Sequence, residues 1–168
     1  LNLVVCEMKG SSVPESAKCF GDNSGTLTFS IQQGTPPFDY NWRKVNSTIN
    51  GQGMLVNINQ DEIITGLGSG TYLITVTDGF GNDVIIIGTV NEPLALAATA
   101  DVSDFSGYNV SCNGGQNGSI NVNMTGGTQP YSYLWPDGSL TKNISGLAAG
   151  DYNVTLSDVN GCPLFYVI

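Results

Sequence analysis

The chain has 168 residues, 14 acidic against 5 basic side chains, a formal charge of −9 and no histidine. That charge argues against nucleic acid and anionic lipid as partners, and the missing histidine removes the commonest general base and hydrolytic metal ligand. No apolar run approaches the roughly 20 residues of a membrane helix.

In chain order, Leu1 to Glu7 predicts a first strand, and Leu27, Phe29 and Ile31 place three apolar residues on one face of a second. Phe38, Tyr40 and Trp42 predict a second such stripe and Tyr72, Ile74 and Val76 a third. The pattern then repeats: Leu94 to Ala100, Ile120/Val122/Met124, Tyr131/Tyr133/Trp135 and Tyr152/Val154/Leu156. Thr, Ser and Asn dominate the intervening positions, which suits the wet face of antiparallel sheets. Turn chemistry sits where stripes end, at Gly34-Thr35-Pro36-Pro37, Asn50-Gly51, Asp78-Gly79, Gly126-Gly127, Asp137-Gly138 and Asn160-Gly161. No stretch of useful length has helical apolar spacing.

The recurrence has a fixed period. Cys19, Gly34, Pro37, Tyr40 and Trp42 return ninety-three positions later as Cys112, Gly127, Pro130, Tyr133 and Trp135. Gly66, Gly70, Tyr72, Asp78 and Gly81 return eighty later as Gly146, Gly150, Tyr152, Asp158 and Gly161. The difference, 93 minus 80, is a thirteen-residue insertion in the first copy. One supersecondary unit has therefore been used twice. The expected architecture is all-β, two tandem immunoglobulin-like β-sandwich modules spanning 1–92 and 93–168, joined at Asn91-Glu92-Pro93, with a hairpin insertion near 43–58. The absence of a basic stretch ahead of an apolar one at Leu1 fits an excerpt from a longer polypeptide.

Trp42, Tyr72, Trp135 and Tyr152 are expected to fill the two cores, the tyrosines as corner residues whose hydroxyls return to backbone. Four cysteines without CxxC or Cys/His spacing read as two disulfides, which implies an extracellular or periplasmic setting. Cys112 and Cys162 flank the second unit and are the expected pair there, worth about 4 kcal/mol in the chain-entropy model. Cys6 and Cys19 are the expected pair of the first unit, with reduced buried thiols as the alternative.

Asp22 and Asn23 beside Asp78 and Asn82, and Asn117 beside Asp158 and Asn160, could supply oxygen ligands to Ca²⁺ from neighbouring loops. Asx residues at turns more often satisfy their own backbone, and no other cofactor is implied. The insertion holds Arg43 and Lys44, with Asn50-Gly51 as its turn signal. It reads as an added edge hairpin or, alternatively, as a binding loop carrying Arg43, Lys44 and Asn50. Catalysis has no motif to support it, and the chain is expected not to be an enzyme.

Four ordered motifs of the second unit carry a resemblance: Val110-Ser111-Cys112-Asn113-Gly114-Gly115-Gln116-Asn117-Gly118-Ser119-Ile120, then Gly126-Gly127-Thr128-Gln129-Pro130-Tyr131, then Leu147-Ala148-Ala149-Gly150-Asp151-Tyr152, then Ser157-Asp158-Val159-Asn160-Gly161-Cys162. They resemble the SprB repeat of Bacteroidetes surface proteins. The first unit resembles it less closely, with Asn82 where Cys162 stands. The resemblance implies a module from a very large secreted adhesin at the cell surface, exported by type IX secretion and of the kind used in gliding motility. It implies adjacent repeats of the same chain as neighbours and a spacer role. The alternative function is a carbohydrate-binding module that recognises surface polysaccharide or another component of the substratum.

Overall fold

A computed structural model describes residues 7–168 and shows thirteen β-strands and no helix among them. The chain divides into two compact units, Leu1–Glu92 and Pro93–Ile168. The strand expected over Leu1 to Glu7 falls almost wholly outside the described residues. The first strand seen, β1 (Lys9–Glu15), follows it.

Unit 1 packs a three-stranded sheet, β1–β2–β5, with β2 Gly25–Gln33 and β5 Asp61–Leu67, against a four-stranded sheet ordered β4–β3–β6–β7. The four strands are β3 Phe38–Lys44, β4 Asn50–Leu55, β6 Gly70–Thr77 and β7 Asp83–Val90. All pairings are antiparallel. The three apolar stripes meet between the sheets: Leu27, Phe29, Ile31, Phe38, Tyr72, Ile74 and Val76 are all essentially inaccessible. Phe29 meets Tyr40 edge to face, with centroids 5.0 Å apart, a favoured aromatic geometry.

Unit 2 repeats the plan with β8 Ala97–Val102, β9 Gly118–Thr125, β10 Ser132–Leu134, β11 Asn143–Leu147, β12 Asn153–Ser157 and β13 Pro163–Val167. Its sheets are β11–β9–β8 and β10–β12–β13. The core is smaller, with Ile120, Val122, Trp135, Val154 and Leu156 buried and Met124, Tyr133 and Tyr152 packed against them. Two stacked antiparallel sheets with this strand order make both units immunoglobulin-like β-sandwiches.

A shared irregularity shows that the repeat extends to backbone geometry. Register shifts where Leu67 faces Gly25 and again where Leu147 faces Gly118. Gly66 and Gly146, just before those leucines, have φ of +74° and +76°. A residue in the left-handed region is what a glycine bulge requires. Pro37 and Pro130, also repeat-related, both follow cis peptide bonds.

The inserted segment of unit 1 forms β4, an edge strand paired with β3 through Phe38↔Leu55, Tyr40↔Gly53 and Trp42↔Gly51. The Asn50-Gly51 dipeptide, expected as its turn, instead opens the strand. The reversal lies at Val45 to Ile49, with Asn46 at φ +57°. The glycines of β4 serve sterics: a Cβ at Gly51 would lie 2.6 Å from the Trp42 indole nitrogen, and one at Gly53 would strike the Tyr40 hydroxyl. Bare backbone lets two large rings lie across the edge strand.

Candidate functional site

Strand direction gives each unit two distinct ends. In unit 1, β1 runs from Lys9 opposite Gln33 to Glu15 opposite Thr26, and β7 ends with Val90 opposite Gly70. In unit 2, β8 runs from Ala97 opposite Thr125 to Val102 opposite Ile120, and β13 ends with Val167 opposite Asn153. The chain therefore comes in at one end of each sandwich, the leading end, and goes out at the other, the trailing end.

Each leading end is built round a buried aspartate. Asp78 accepts hydrogen bonds from the backbone N–H of Asn82 (2.9 Å), Phe80 (2.9 Å) and Thr35 (3.3 Å) and from the Asn82 side-chain amide. Asp158 accepts from Thr128 N–H (2.8 Å), Asn160 N–H (2.9 Å) and Cys162 N–H (3.0 Å). Each carboxylate ties the β2–β3 or β9–β10 loop to the turn before the last strand. The Asn82 N–H, followed by its side-chain amide and the Phe80 and Thr35 N–H groups, holds the Asp78 carboxyl below the ordinary value. At Asp158 burial pushes the other way, but the Thr128, Cys162 and Asn160 N–H groups outweigh it and the net shift is downward. Donors aimed at an ionised carboxylate produce this effect.

Each trailing end carries the tyrosine corner. Tyr72 is fully buried and its hydroxyl donates to Gly68 O at 2.8 Å, while the half-buried Tyr152 donates to Ala148 O at 3.0 Å. The tryptophans divide the other way. Trp135 is 2% exposed and its indole N–H donates to Thr141 O at 2.8 Å, whereas Trp42 is half-buried, tilted 6.0 Å from Tyr72. Of the four expected core aromatics, two are buried and two pack on the core's margin.

This end-to-end polarity decides what the sequence-proposed residues can do together. Asp22 and Asn23 lie at the trailing end of unit 1, Asp22 accepting from Ser24 and Cys19 N–H and Asn23 lying over Gly68. Asp78 and Asn82 lie at the leading end, so the four do not form one cluster. Asn117 likewise sits at the trailing end of unit 2, accepting from Ser111 N–H, away from Asp158 and Asn160. Among the described residues no three His, Cys, Asp or Glu side chains gather as a metal site would need.

The expected Cys112–Cys162 bridge is overturned: Cys112 is an exposed free thiol, while Cys162 is buried and disulfide-bonded. Both cysteines do precede strands, but β9 and β13 run in opposite directions, which puts Cys112 at the trailing end and Cys162 at the leading end. A strand of five or more residues, roughly 17 Å or longer, separates the two ends, and a disulfide needs Cα atoms within about 7 Å. Cys19 is disulfide-bonded, and Cys6 lies outside the described residues.

In the inserted hairpin Arg43 points to solvent, Asn50 donates to Thr48 O at 2.9 Å, and the Lys44 ammonium stands 5.9 Å from the Tyr72 ring centre. Stripe counting alone misses five aromatics left on the surface: Phe20, Phe80, Phe105, Tyr108 and Phe165. Their signal in the sequence is that none belongs to a two-residue apolar stripe of a core strand.

No curated protein matches the chain. Among solved structures it is similar to the C-terminal 282-residue fragment of intimin crystallised with the intimin-binding domain of the translocated intimin receptor. That likeness has 12% identity and a TM-score of 0.45, and it covers 96% of this chain and 62% of that one. It is also similar to a two-domain fibronectin type-III segment of chicken tenascin, with 14% identity, a TM-score of 0.35, and coverage of 92% and 98% respectively. The fold class rests on strand order and not on these likenesses. The family model described as the SprB repeat matches residues 11–46 and 108–140, one region in each unit. Each sandwich thus contains one stretch that is similar to the SprB repeat.

Proposed function

We propose that this chain is a repeat segment of a large secreted cell-surface adhesin and acts as a structural spacer that holds a binding region away from the cell, in surface adhesion and gliding motility. The observation that supports it most is the duplication of the shape-holding devices. The buried aspartate turn, the glycine bulge and the tyrosine corner recur at the same places, while among the described residues no metal-ligating cluster accompanies them. Among the described residues no buried polar side-chain atom lacks a partner, so neither core holds a polar group waiting for a ligand. Parent-protein partners under this reading are neighbouring repeats, and the location is extracellular.

A second reading has its own support. On the outer face of the β10–β12–β13 sheet, Phe165 is 77% exposed beside Leu134 and Val167, and it stands across from Thr155. An open ring flanked by Asn153 and Thr155 suits a sugar face, with stacking on the ring and hydroxyls on the polar neighbours. Polysaccharide pull-down with the intact chain and with Phe165→Ala separates the two. No retention of either protein supports the spacer; retention that disappears in the variant replaces it with recognition.

A further inference from the structure

Cys112 is the one free cysteine among the described residues, and its surroundings are unlike those of a stray surface thiol. It lies in the loop between β8 and β9, two residues past Val110. Val110 forms the wall of a cavity of about 200 Å³ together with Val102, Tyr108, Leu147, Tyr152 and Ile168. Tyr108, 74% exposed, stands at its rim. An exposed thiol and an apolar recess thus share the trailing end of unit 2. Its repeat counterpart ninety-three positions earlier, Cys19, occupies the trailing end of unit 1 and is oxidised. The cysteine of the other type, Cys162, is at a leading end and is oxidised too. It follows Asp158 in the turn that also holds the Thr128 N–H, next to Gly127, whose own N–H reaches the incoming strand at Leu94 O, 2.7 Å away.

We propose that Cys112 is an attachment cysteine that joins this segment through a disulfide to a further SprB module carrying a cysteine at the Cys162 position, with the apolar recess beside it receiving that module's leading end. Connectivity selects this occupant. β13 delivers the chain to the end where Cys112 lies, with Ile168 N–H bonded to Tyr152 O at 2.8 Å. A module built like unit 2 presents its Cys162-type turn beside its own incoming strand, so a short junction brings the two sulfurs to the same place. Two thiols become one S–S bond. The two electrons and two protons pass to the disulfide of a thiol–disulfide oxidoreductase, which is reduced to a dithiol. A chain of such links would brace each junction with a second covalent connection beside the peptide backbone. This deepens the spacer reading and rests on it for its purpose, although the thiol chemistry can be measured without any binding assay.

The direct test extends the present chain by a second copy of residues 93–168 after Ile168, made in an oxidising compartment and alkylated without reduction. Cys112, fully alkylated in the present chain, should become unreactive. Peptide mapping should find it joined to the appended copy's counterpart of Cys162, and serine at that counterpart should restore alkylation. Cys112 still alkylated in the extended chain, or linked to Cys112 of a second molecule, overturns the proposal. The parent protein isolated from cells gives an independent answer that does not depend on how the extended chain folds. There the Cys112 peptide should appear only after reduction, and its recovery as a free thiol or as an adduct with a small thiol counts against the link. Polysaccharide retention bears on the spacer reading alone, so the two can fail separately.

Discussion

Replacing the two tryptophans and the two corner tyrosines one at a time by phenylalanine should cost stability in a crossed pattern. In unit 2 the tryptophan matters more. Trp135→Phe trims a fully buried indole to a smaller ring and leaves a cavity, about 2–3 kcal/mol, while water can reach the exposed Thr141 whose carbonyl the indole N–H meets at 2.8 Å. Tyr152 is half-buried and its partner, Ala148, is exposed, so water replaces the lost hydroxyl and Tyr152→Phe costs about 0.5 kcal/mol. In unit 1 the order reverses. Tyr72→Phe leaves the Gly68 carbonyl unpaired under a fully buried ring, about 1–2 kcal/mol, while Trp42→Phe trims a half-buried ring lying over Gly51 and costs about 1 kcal/mol or less. For units of this size 1 kcal/mol moves the melting point by about 4–8 °C, so Trp135→Phe should lower the unit 2 transition by roughly 10–20 °C. The chain holds one tryptophan per unit. Fluorescence therefore reports both units together in the tyrosine variants and the unaltered unit alone in the tryptophan variants, and calorimetry follows both transitions in all four. Equal costs for Trp42 and Trp135, or a larger loss at Tyr152 than at Tyr72, would refute the assignment of a different central aromatic to each unit.

Three further outcomes follow from the geometry. Gly53→Val should drive a branched side chain into the Tyr40 hydroxyl, destabilising unit 1 by about 1–3 kcal/mol in urea unfolding and leaving unit 2 unchanged. Asp78 and Asp158 sit below the ordinary carboxylate value, so their contribution is complete above about pH 4 and lost as pH falls through the lower folded-state value. Melting points taken between pH 5 and 2 should fall less steeply for Asp78→Asn than for the unaltered chain, and parallel curves would contradict the turn's dependence on charge. Burial, then the Glu62 carboxylate 2.8 Å away, pushes the Tyr40 hydroxyl up to about 12. Its stabilisation is complete below the unfolded value of about 10 and lost as pH rises toward 12. Tyr40→Phe should abolish that part of the alkaline slope between pH 9 and 12.

The stripes were legible because strand faces alternate with period two whatever the partner strand. Leu27, Phe29 and Ile31 could be assigned to a core without knowing what lay opposite. The corner tyrosines were legible for a similar local reason, since each bonds a carbonyl four residues back. What stayed hidden was strand direction. Cys112 and Cys162 both precede strands, and Asp22 and Asp78 both adjoin turns, yet each pair is split between opposite ends because consecutive antiparallel strands reverse which end a strand begins at. Asn50-Gly51 misled in another way. The dipeptide is a turn signal when only local φ is considered, but here Gly51 is required by the Trp42 ring lying across it, a constraint that exists only once β3 and β4 are paired. The difference between Trp42 and Trp135 has the same origin. β4 flanks the first, whereas the loop after β10 closes over the second and supplies Thr141 O. The aspartate turns had a readable signal, Asp followed three residues later by glycine in both copies, whose N–H bonds back to the aspartate carbonyl. Their link to Thr35 and Thr128 spans more than 25 residues and has no local trace.

A spacer must hold the shape of each unit under load, and pulling the chain from its two termini under reducing conditions measures this directly. At about 0.35 nm per extended residue, two separate unfolding peaks should appear, releasing about 25 nm for Pro93–Ile168 and about 30 nm for Leu1–Glu92. A single event releasing both lengths at once, or extension with no peak, would contradict the spacer reading.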